Sequence, residues 1–314
     1  MMRENWEQRI GNQRDWVWRG WQTRYTYKRS PKAHQGRTSS SVSSSVNASQ
    51  TPLILLHGFG AAIEHWRKNI PTLSQYHTVY ALDLLGFGAS RKAETEYTSY
   101  LWAQQVYDFW KTFIGKSVVL VGNSIGSLVC LTAAAAYPDM VKGIVMISLP
   151  DLSMRQEMIP KPLQPLVSSI ESFFAFPPLL KGLFRLLRSP GVIRRWAGVA
   201  YFDEQAVTAE LVQILAAPAQ DPGADRTFVA LFKAINRPGF APAAKVVLPQ
   251  LEIPMLLVWG KCDRMVPPTL APAFAKLNPR LQLLEIEEAG HCVHDECPDK
   301  FNDFLLNWLN NKFH

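Results

Sequence analysis

The twenty residues VVLVGNSIGSLVCLTAAAAY (118–137) constrain the fold of this chain more than any other part of it. Their length alone would suit a membrane span, which needs about 20 apolar residues. However, a β-branched run gives way at Gly122-Asn123-Ser124 to an Ala-rich segment. β-Branched side chains suit a pleated strand and Ala suits a helix. The run therefore reads as a buried strand, a tight turn and a buried helix. A strand that is apolar throughout must be covered on both faces, which implies a parallel sheet flanked by helices.

The same rhythm surrounds it. PLILLHG (52–58) precedes a helical pattern near 63–73, and HTVYALDLL (77–85) precedes one over 97–114. SVVLVGNS (117–124) leads into the Ala-rich helix before Pro138, and VKGIVMISLP (141–150) is the next strand. At Asp151 the strands stop. Residues 151–246 are helical in pattern and punctuated by Pro160, Pro162, Pro165, Pro177, Pro178 and Pro190. Strands return at PMLLVWGKCD (254–263) and LQLLEIEEAG (281–290), and an amphipathic helix covers 298–311. The expected fold is α/β: a mostly parallel sheet flanked by helices, built from 52–150 and 247–314, with a helical cap inserted at 151–246. Ahead of it, WVWRGWQTRYTY (16–27) alternates around Gly20 as a β-hairpin within segment 1–29, and the Ser-rich 30–51 reads as a flexible loop.

Net charge is +7, and the excess is local. Residues 1–30 carry seven Arg and Lys against three acids, and 171–200 carry five against one. Both stretches are also rich in Trp, Phe or Leu, a composition suited to peripheral membrane contact through the cap and the N-terminal region. No basic helix or aromatic RNA-binding motif suggests nucleic acid. The polar opening MMRENWEQRIGNQRD lacks the apolar core of a signal peptide, and four cysteines make no disulfide framework, so a reducing, cytoplasmic setting is expected.

The chemistry centres on Gly122-Asn123-Ser124-Ile125-Gly126, a G-x-S-x-G pentapeptide placed between strand and helix. Such a turn projects the serine above the sheet. A serine hydroxyl needs a base, and the base needs an orienting acid. After such an elbow the chain order is Ser, acid, His, and beyond Ser124 only His291, His294 and His314 remain. His291 follows the last strand directly and is the expected base, with His294 three residues deeper and expected against the following helix. Asp263, at the end of the preceding strand, is the expected acid, and Asp151 is the alternative. Asp295 and Glu296 lie too near His291 in sequence to orient it. Backbone N–H groups of Phe59, in LHGFGAA, and of Ile125 are the expected oxyanion donors, with Gly122 and Gly126 shaping the elbow. His57 precedes Ser124 and is expected to brace the loop. Cys262, Cys292 and Cys297 flank the acid and base but lack paired zinc spacing, so they read as buried, inert thiols, with no metal and no cofactor.

With LHGFG, DLLGFGAS, GNSIGS, WGKCDRMVP and GHCVHDECP in view, the chain resembles the α/β-hydrolase family over 52–150 and 247–314. HGFGAAIEHWRKNIP, YALDLLGFGAS and VWRGWQTRYTY are similar to its plant and cyanobacterial branch of chlorophyll dephytylases and pheophytinases. That resemblance implies cleavage of the phytyl ester of a chlorophyll-type pigment, in chlorophyll catabolism at the thylakoid. Ser127 departs from the second Gly that many relatives carry after the elbow. Independently, a serine at 124 excludes the carboxylate-nucleophile chemistry of epoxide hydrolases and dehalogenases. The apolar SFFAFPPLLKGLFRLL (172–187) suits a hydrophobic ester, whose tail would gain ~0.8 kcal/mol per buried CH₂. Other esterases or lipases, C–C bond hydrolases and a slow-turnover ligand receptor share these features.

Overall fold

The computed structural model describes residues 6–31, 51–151 and 177–313. The Ser-rich segment, Pro160, Pro162, Pro165 and the first part of the apolar 172–187 run lie outside these residues. Eight strands form one sheet in the order β1-β2-β4-β3-β5-β6-β7-β8. They are β1 (Gln13–Trp18), β2 (Trp21–Lys28), β3 (Leu53–Leu56), β4 (Val79–Leu82), β5 (Val118–Asn123), β6 (Val141–Ile147), β7 (Met255–Gly260) and β8 (Leu281–Ile286). β3 through β8 pair in parallel, whereas β1–β2 and β2–β4 are antiparallel.

The hairpin is thus the edge of the main sheet. Arg19 and Gly20 both have positive φ, 52° and 82°, as a two-residue type I′ turn requires. Its tryptophans pack inward: Trp18 is 2% exposed and bonds Asp108 through Nε1, and Trp16 packs edge-on against Phe109 and Phe113. Trp18 therefore belongs to the core cluster, and Trp16 and Trp21 pack against it partly buried.

Short helix α1 (Trp6–Ile10) and α2 (Ile70–Leu73) lie with one face of the sheet, while α3 (Ser99–Phe113) and α4 (Ile125–Ala136) cover the other. The expected helix over 63–73 is in fact a 3₁₀ turn at Ile63–Trp66 followed by α2. Pro71 explains the break, because proline is tolerated only in the first turn. Between β6 and β7 the described residues contain no strand, only α5 (Pro177–Leu187), α6 (Pro190–Ala200), α7 (Ala209–Ala216), α8 (Ala224–Ile235), α9 (Ala244–Val247) and 3₁₀ turns. After β7 come α10 (Leu270–Ala275), α11 (Val293–Glu296) and α12 (Pro298–Phe313). Alternate strand residues divide between two buried clusters: Ile54 and Leu56 face Trp102 and Leu128, whereas Leu53 and Leu55 face Trp66, Phe301 and Trp308. Truncating one such leucine to Ala would cost about 2–5 kcal/mol. Among the described residues, no helix is long and apolar enough to cross a membrane.

A buried polar clamp ties the helical insertion to this core. The Arg67 side chain is fully buried, and its guanidinium donates to Asp295 Oδ1 at 2.8 Å and to Glu210 Oε1 at the start of α7 at 2.5 Å. Tyr201, just after α6, lies between His65 Nε2 (2.9 Å) and Asp295 Oδ2 (2.7 Å). Glu296 accepts from the amides of Phe202, Asp203 and Gly290, each at 2.7 Å.

Candidate active site

Ser124 occupies the sharp turn between β5 and α4 with φ 54° and ψ −114°. That is a costly conformation for a residue with a Cβ, and close packing holds it. A Cβ on Gly122 would sit 2.2 Å from Gly126 O, and one on Gly126 would sit 2.3 Å from Leu56 O. Only glycine permits β5, α4 and β3 to approach so closely. Ser124 N donates to Ile147 O at 2.9 Å. Beneath the turn, the buried Ser127 Oγ lies 2.8 Å from Gly122 O and accepts from Ile147 N at 3.0 Å. The departure from Gly at 127 thus ties β5 to β6 directly under the elbow.

The loop after β3 lies against this turn. A Cβ on Gly58 would fall 3.5 Å from Ser124 Cβ and 2.8 Å from Asn123 Oδ1. Phe59 is partly exposed and packs edge-on against Phe87. Ile125 is the first residue of α4, so its N–H has no carbonyl one turn back to serve. His57 lies under the loop, with Nδ1 2.8 Å from Gly58 O and Nε2 3.1 Å from the Leu84 amide. Nε2 accepts from that amide, so Nδ1 carries the proton and donates to Gly58 O. Burial pushes His57 down to about 4, so this brace is a neutral imidazole. Nearby Asp83 accepts from the Ile63 and Ala89 amides, yet burial and the charge of Glu64 push it up to about 8.

His291 and Asp263 meet where the loops after β7 and β8 converge. Asp263 Oδ2 lies 2.8 Å from His291 Nδ1, and Oδ1 accepts from the amides of Met265 (2.8 Å) and Val266 (2.9 Å). Burial works to raise Asp263, but the His291 bond and the two amides outweigh it and hold the carboxyl below its usual value. An ionised carboxylate can only accept, so His291 keeps its proton on Nδ1 and leaves the Nε2 lone pair free to act as a base. Asp263, rather than Asp151, makes this contact.

The His291 backbone is fixed from three directions. Its N–H donates to Ala200 O at the end of α6 (2.7 Å), and its carbonyl accepts from Asn123 Nδ2 (3.1 Å) and Ser148 Oγ (3.2 Å). Asn123 immediately precedes Ser124, so one side chain links the loop of the histidine to the turn of the serine. Sequence reasoning missed Asn123, Ser148 and Tyr201. Asn123 fills an unconstrained position of the pentapeptide, and only the fold shows what its amide reaches.

His294 is fully buried, with its ring 4.2 Å from Trp66, 4.6 Å from His65 and 6.4 Å from Phe301 of α12. It faces the 63–66 turn as much as the following helix, and burial drives it well below its usual value. Asp295 and Glu296 serve the clamp to the insertion. Of the three cysteines near the site, Cys292 is buried and its thiol is pushed well up by burial, whereas Cys262 and Cys297 are half-buried because their loops run at the surface. Among the described residues, no group of three or more His, Cys, Asp or Glu side chains is placed to hold a metal ion.

Residues 51–298 match the family model of the α/β-hydrolase fold. The chain is 27% identical to 2-hydroxy-6-oxo-6-(2'-aminophenyl)hexa-2,4-dienoic acid hydrolase of Metapseudomonas resinovorans, over 83% of this chain and 84% of that protein. It is 25% identical to the chloroplastic pheophytinase of Arabidopsis thaliana, over 84% of this chain and 62% of that longer protein. It is 24% identical to the (lyso)-N-acylphosphatidylethanolamine lipase of Bos taurus, over 81% of this chain and 77% of that one. Among solved structures, a serine hydrolase involved in carbazole degradation superposes with a TM-score of 0.73 at 22% identity, covering 95% of this chain and 98% of that one. With the family model spanning most of its length and the sheet, elbow and loop order in place, the chain belongs to the α/β-hydrolase family.

Proposed function

We propose that this protein is a serine ester hydrolase in which Ser124 is the nucleophile, His291 the base and Asp263 the orienting acid. The observation that carries the reading is the 2.8 Å His291–Asp263 contact, made by a loop whose carbonyl is bonded to the residue next to Ser124. In the proposed cycle, His291 Nε2 takes the Ser124 proton as Oγ attacks the ester carbonyl. The Phe59 and Ile125 amides receive the developing oxyanion, His291 protonates the departing alcohol, and water activated by the same imidazole frees the acyl-enzyme. This chemistry draws on no cofactor. Ser124→Ala should keep the fold and abolish turnover, and a serine-directed phosphonate should label Ser124 alone. Activity within about tenfold of the parent would overturn the assignment, because loss of a nucleophile costs far more.

For the substrate, we propose a hydrophobic carboxylic ester, in first place the phytyl ester of chlorophyll or pheophytin. Support comes from the resemblance of the HGFGAAIEHWRKNIP and DLLGFGAS segments, the 25% identity to a pheophytinase and the apolar insertion. On this reading the enzyme acts in the cytoplasm at the thylakoid face, and any magnesium belongs to the pigment. C–C bond hydrolysis is the second reading, favoured by the 27% identical dienoic acid hydrolase. A panel of chlorophyll a, pheophytin a, a triglyceride, a short p-nitrophenyl ester and a meta-cleavage dienoic acid at matched detergent separates them. Release of phytol supports the first reading. Cleavage of short esters and triglyceride with both pigments untouched leaves a general esterase or lipase, and cleavage of the dienoic acid alone leaves the C–C hydrolase.

A further inference from the structure

Two consecutive helices of the insertion each carry an apolar face that stays exposed among the described residues. In α5, Leu180 and Phe184 point inward, the latter 5.0 Å from Phe228 of α8. Leu179, Leu183 and Leu186 recur at helical spacing on another face and are exposed, Leu186 by 62%. In α6, Ala197 is buried and Ile193 packs against the Tyr201 and Leu211 cluster, whereas Trp196 is 55% exposed and Val199 is exposed with it. Phe202 continues the exposed apolar series just past the helix end. Scattered apolar residues on a surface need no explanation, but bulky ones repeated along two adjoining helices do.

The charges carried by the two helices themselves are of one sign. From 177 to 200 there are five basic residues and no acid. Lys181 turns toward Asp225 of α8 at 3.7 Å, and Arg194 donates to Val207 O. Arg185 and Arg195 are exposed, and Arg188 is partly so. A protein partner would meet the apolar face with apolar surface and need few cations. An anionic bilayer offers apolar depth for leucine and tryptophan and a negative plane for arginine. We infer that the outward faces of α5 and α6 dock on the surface of an anionic lipid bilayer.

In the N-terminal region, Trp18 is buried and Trp16 and Trp21 are partly buried against the core, so the inference is carried by α5 and α6 alone. The position of α6 gives docking a consequence. Its last residue, Ala200, accepts the His291 N–H, and Phe202 is held by Glu296 of the same loop. The docked surface therefore ends at the loop of the proposed base, which would bring an ester dissolved in the lipid close to that loop. That consequence rests on the ester-hydrolase reading, whereas the docking does not.

The test is vesicle binding, read by co-sedimentation, with no activity measurement involved. The full chain should bind vesicles of phosphatidylcholine with phosphatidylglycerol, bind pure phosphatidylcholine at least tenfold more weakly, and lose affinity as salt rises. Leu186→Ser with Trp196→Ser should weaken binding at least tenfold. Each of Arg185→Gln and Arg195→Gln should weaken it about fivefold. Val17→Ser, which alters an equally exposed apolar residue on the β1–β2 hairpin, should leave binding unchanged. Urea midpoints equal to the parent would show that the variants fold. The inference is overturned if there is no vesicle binding, if binding ignores salt, if the Leu186 and Trp196 changes bind like the parent, or if those changes instead dissociate a dimer of the parent chain.

Discussion

Replacing Tyr201 by Phe should loosen the insertion from the core, and the structure sets the size of the effect. Asp295 is a buried carboxylate held below its usual value by the charges of Arg67 and Lys68 against its own burial, so the Tyr201 hydroxyl must donate to it. The hydroxyl oxygen then accepts from His65 Nε2, which fixes the protonated nitrogen of a ring that burial keeps neutral, at about 4. The substitution removes a bond to a charged acceptor, worth about 1.5–3 kcal/mol, and strands the His65 N–H, at about 1–3 kcal/mol. Arg67 still holds Asp295, so the lower half of that sum applies, roughly 2.5–4 kcal/mol. The assay is urea unfolding, with a lowered midpoint at unchanged slope. Hydrogen exchange should show the added opening concentrated in α6 and the 200–203 link. Tyr100→Phe, at an exposed hydroxyl, is the control. A loss below about 0.5 kcal/mol, the usual size of a neutral surface change, or a loss that leaves exchange in α6 unaltered, would refute the clamp.

Three further outcomes concern the charged and titrating groups. Asp263→Asn should lower turnover by about 10³–10⁴-fold by releasing the imidazole to the wrong tautomer. His291→Ala should match loss of Ser124, whereas His294→Ala, which opens a cavity beside Trp66, should chiefly lower the urea midpoint; equal loss of turnover from both histidines would reject the assignment. Stability should also fall as pH drops from about 6.5 toward 4. His57 and His65 are held at about 4 and His294 well below its usual value, so over that window the unfolded chain binds protons that the native state refuses. Asp83, raised to about 8, opposes them by one proton, leaving a net loss of about 1.4 kcal/mol per pH unit for each unopposed histidine. Urea midpoints that stay flat between pH 6.5 and 5 would contradict this balance.

The parts of this protein that were legible in its sequence are those where one residue type answers one physical demand. Strand β5 had to be buried on both faces because it carries no polar side chain before Asn123, and the turn after it had to be glycine-flanked because a Cβ at 122 or 126 would meet backbone within 2.3 Å. Given the serine, acid, histidine order that follows such an elbow, the ends of β7 and β8 pointed to Asp263 and His291, which the fold brings into contact. What stayed hidden depends on partners distant in the chain. Trp16, Trp18 and Trp21 have the composition of a membrane anchor, and only the antiparallel pairing of β2 with β4 shows that they are needed to cover the sheet edge. Arg67 and Glu210, 143 positions apart, form a part-buried pair that neither neighbourhood announces. The Asn123 amide looks interchangeable until the His291 carbonyl lies beside it, 168 residues later in the chain. Local propensity reveals elements and elbows. Long-range polar closure, which joins the insertion and the histidine loop to the serine turn, belongs to the fold as a whole, and it is there that substitutions outside the three proposed catalytic residues should affect activity most.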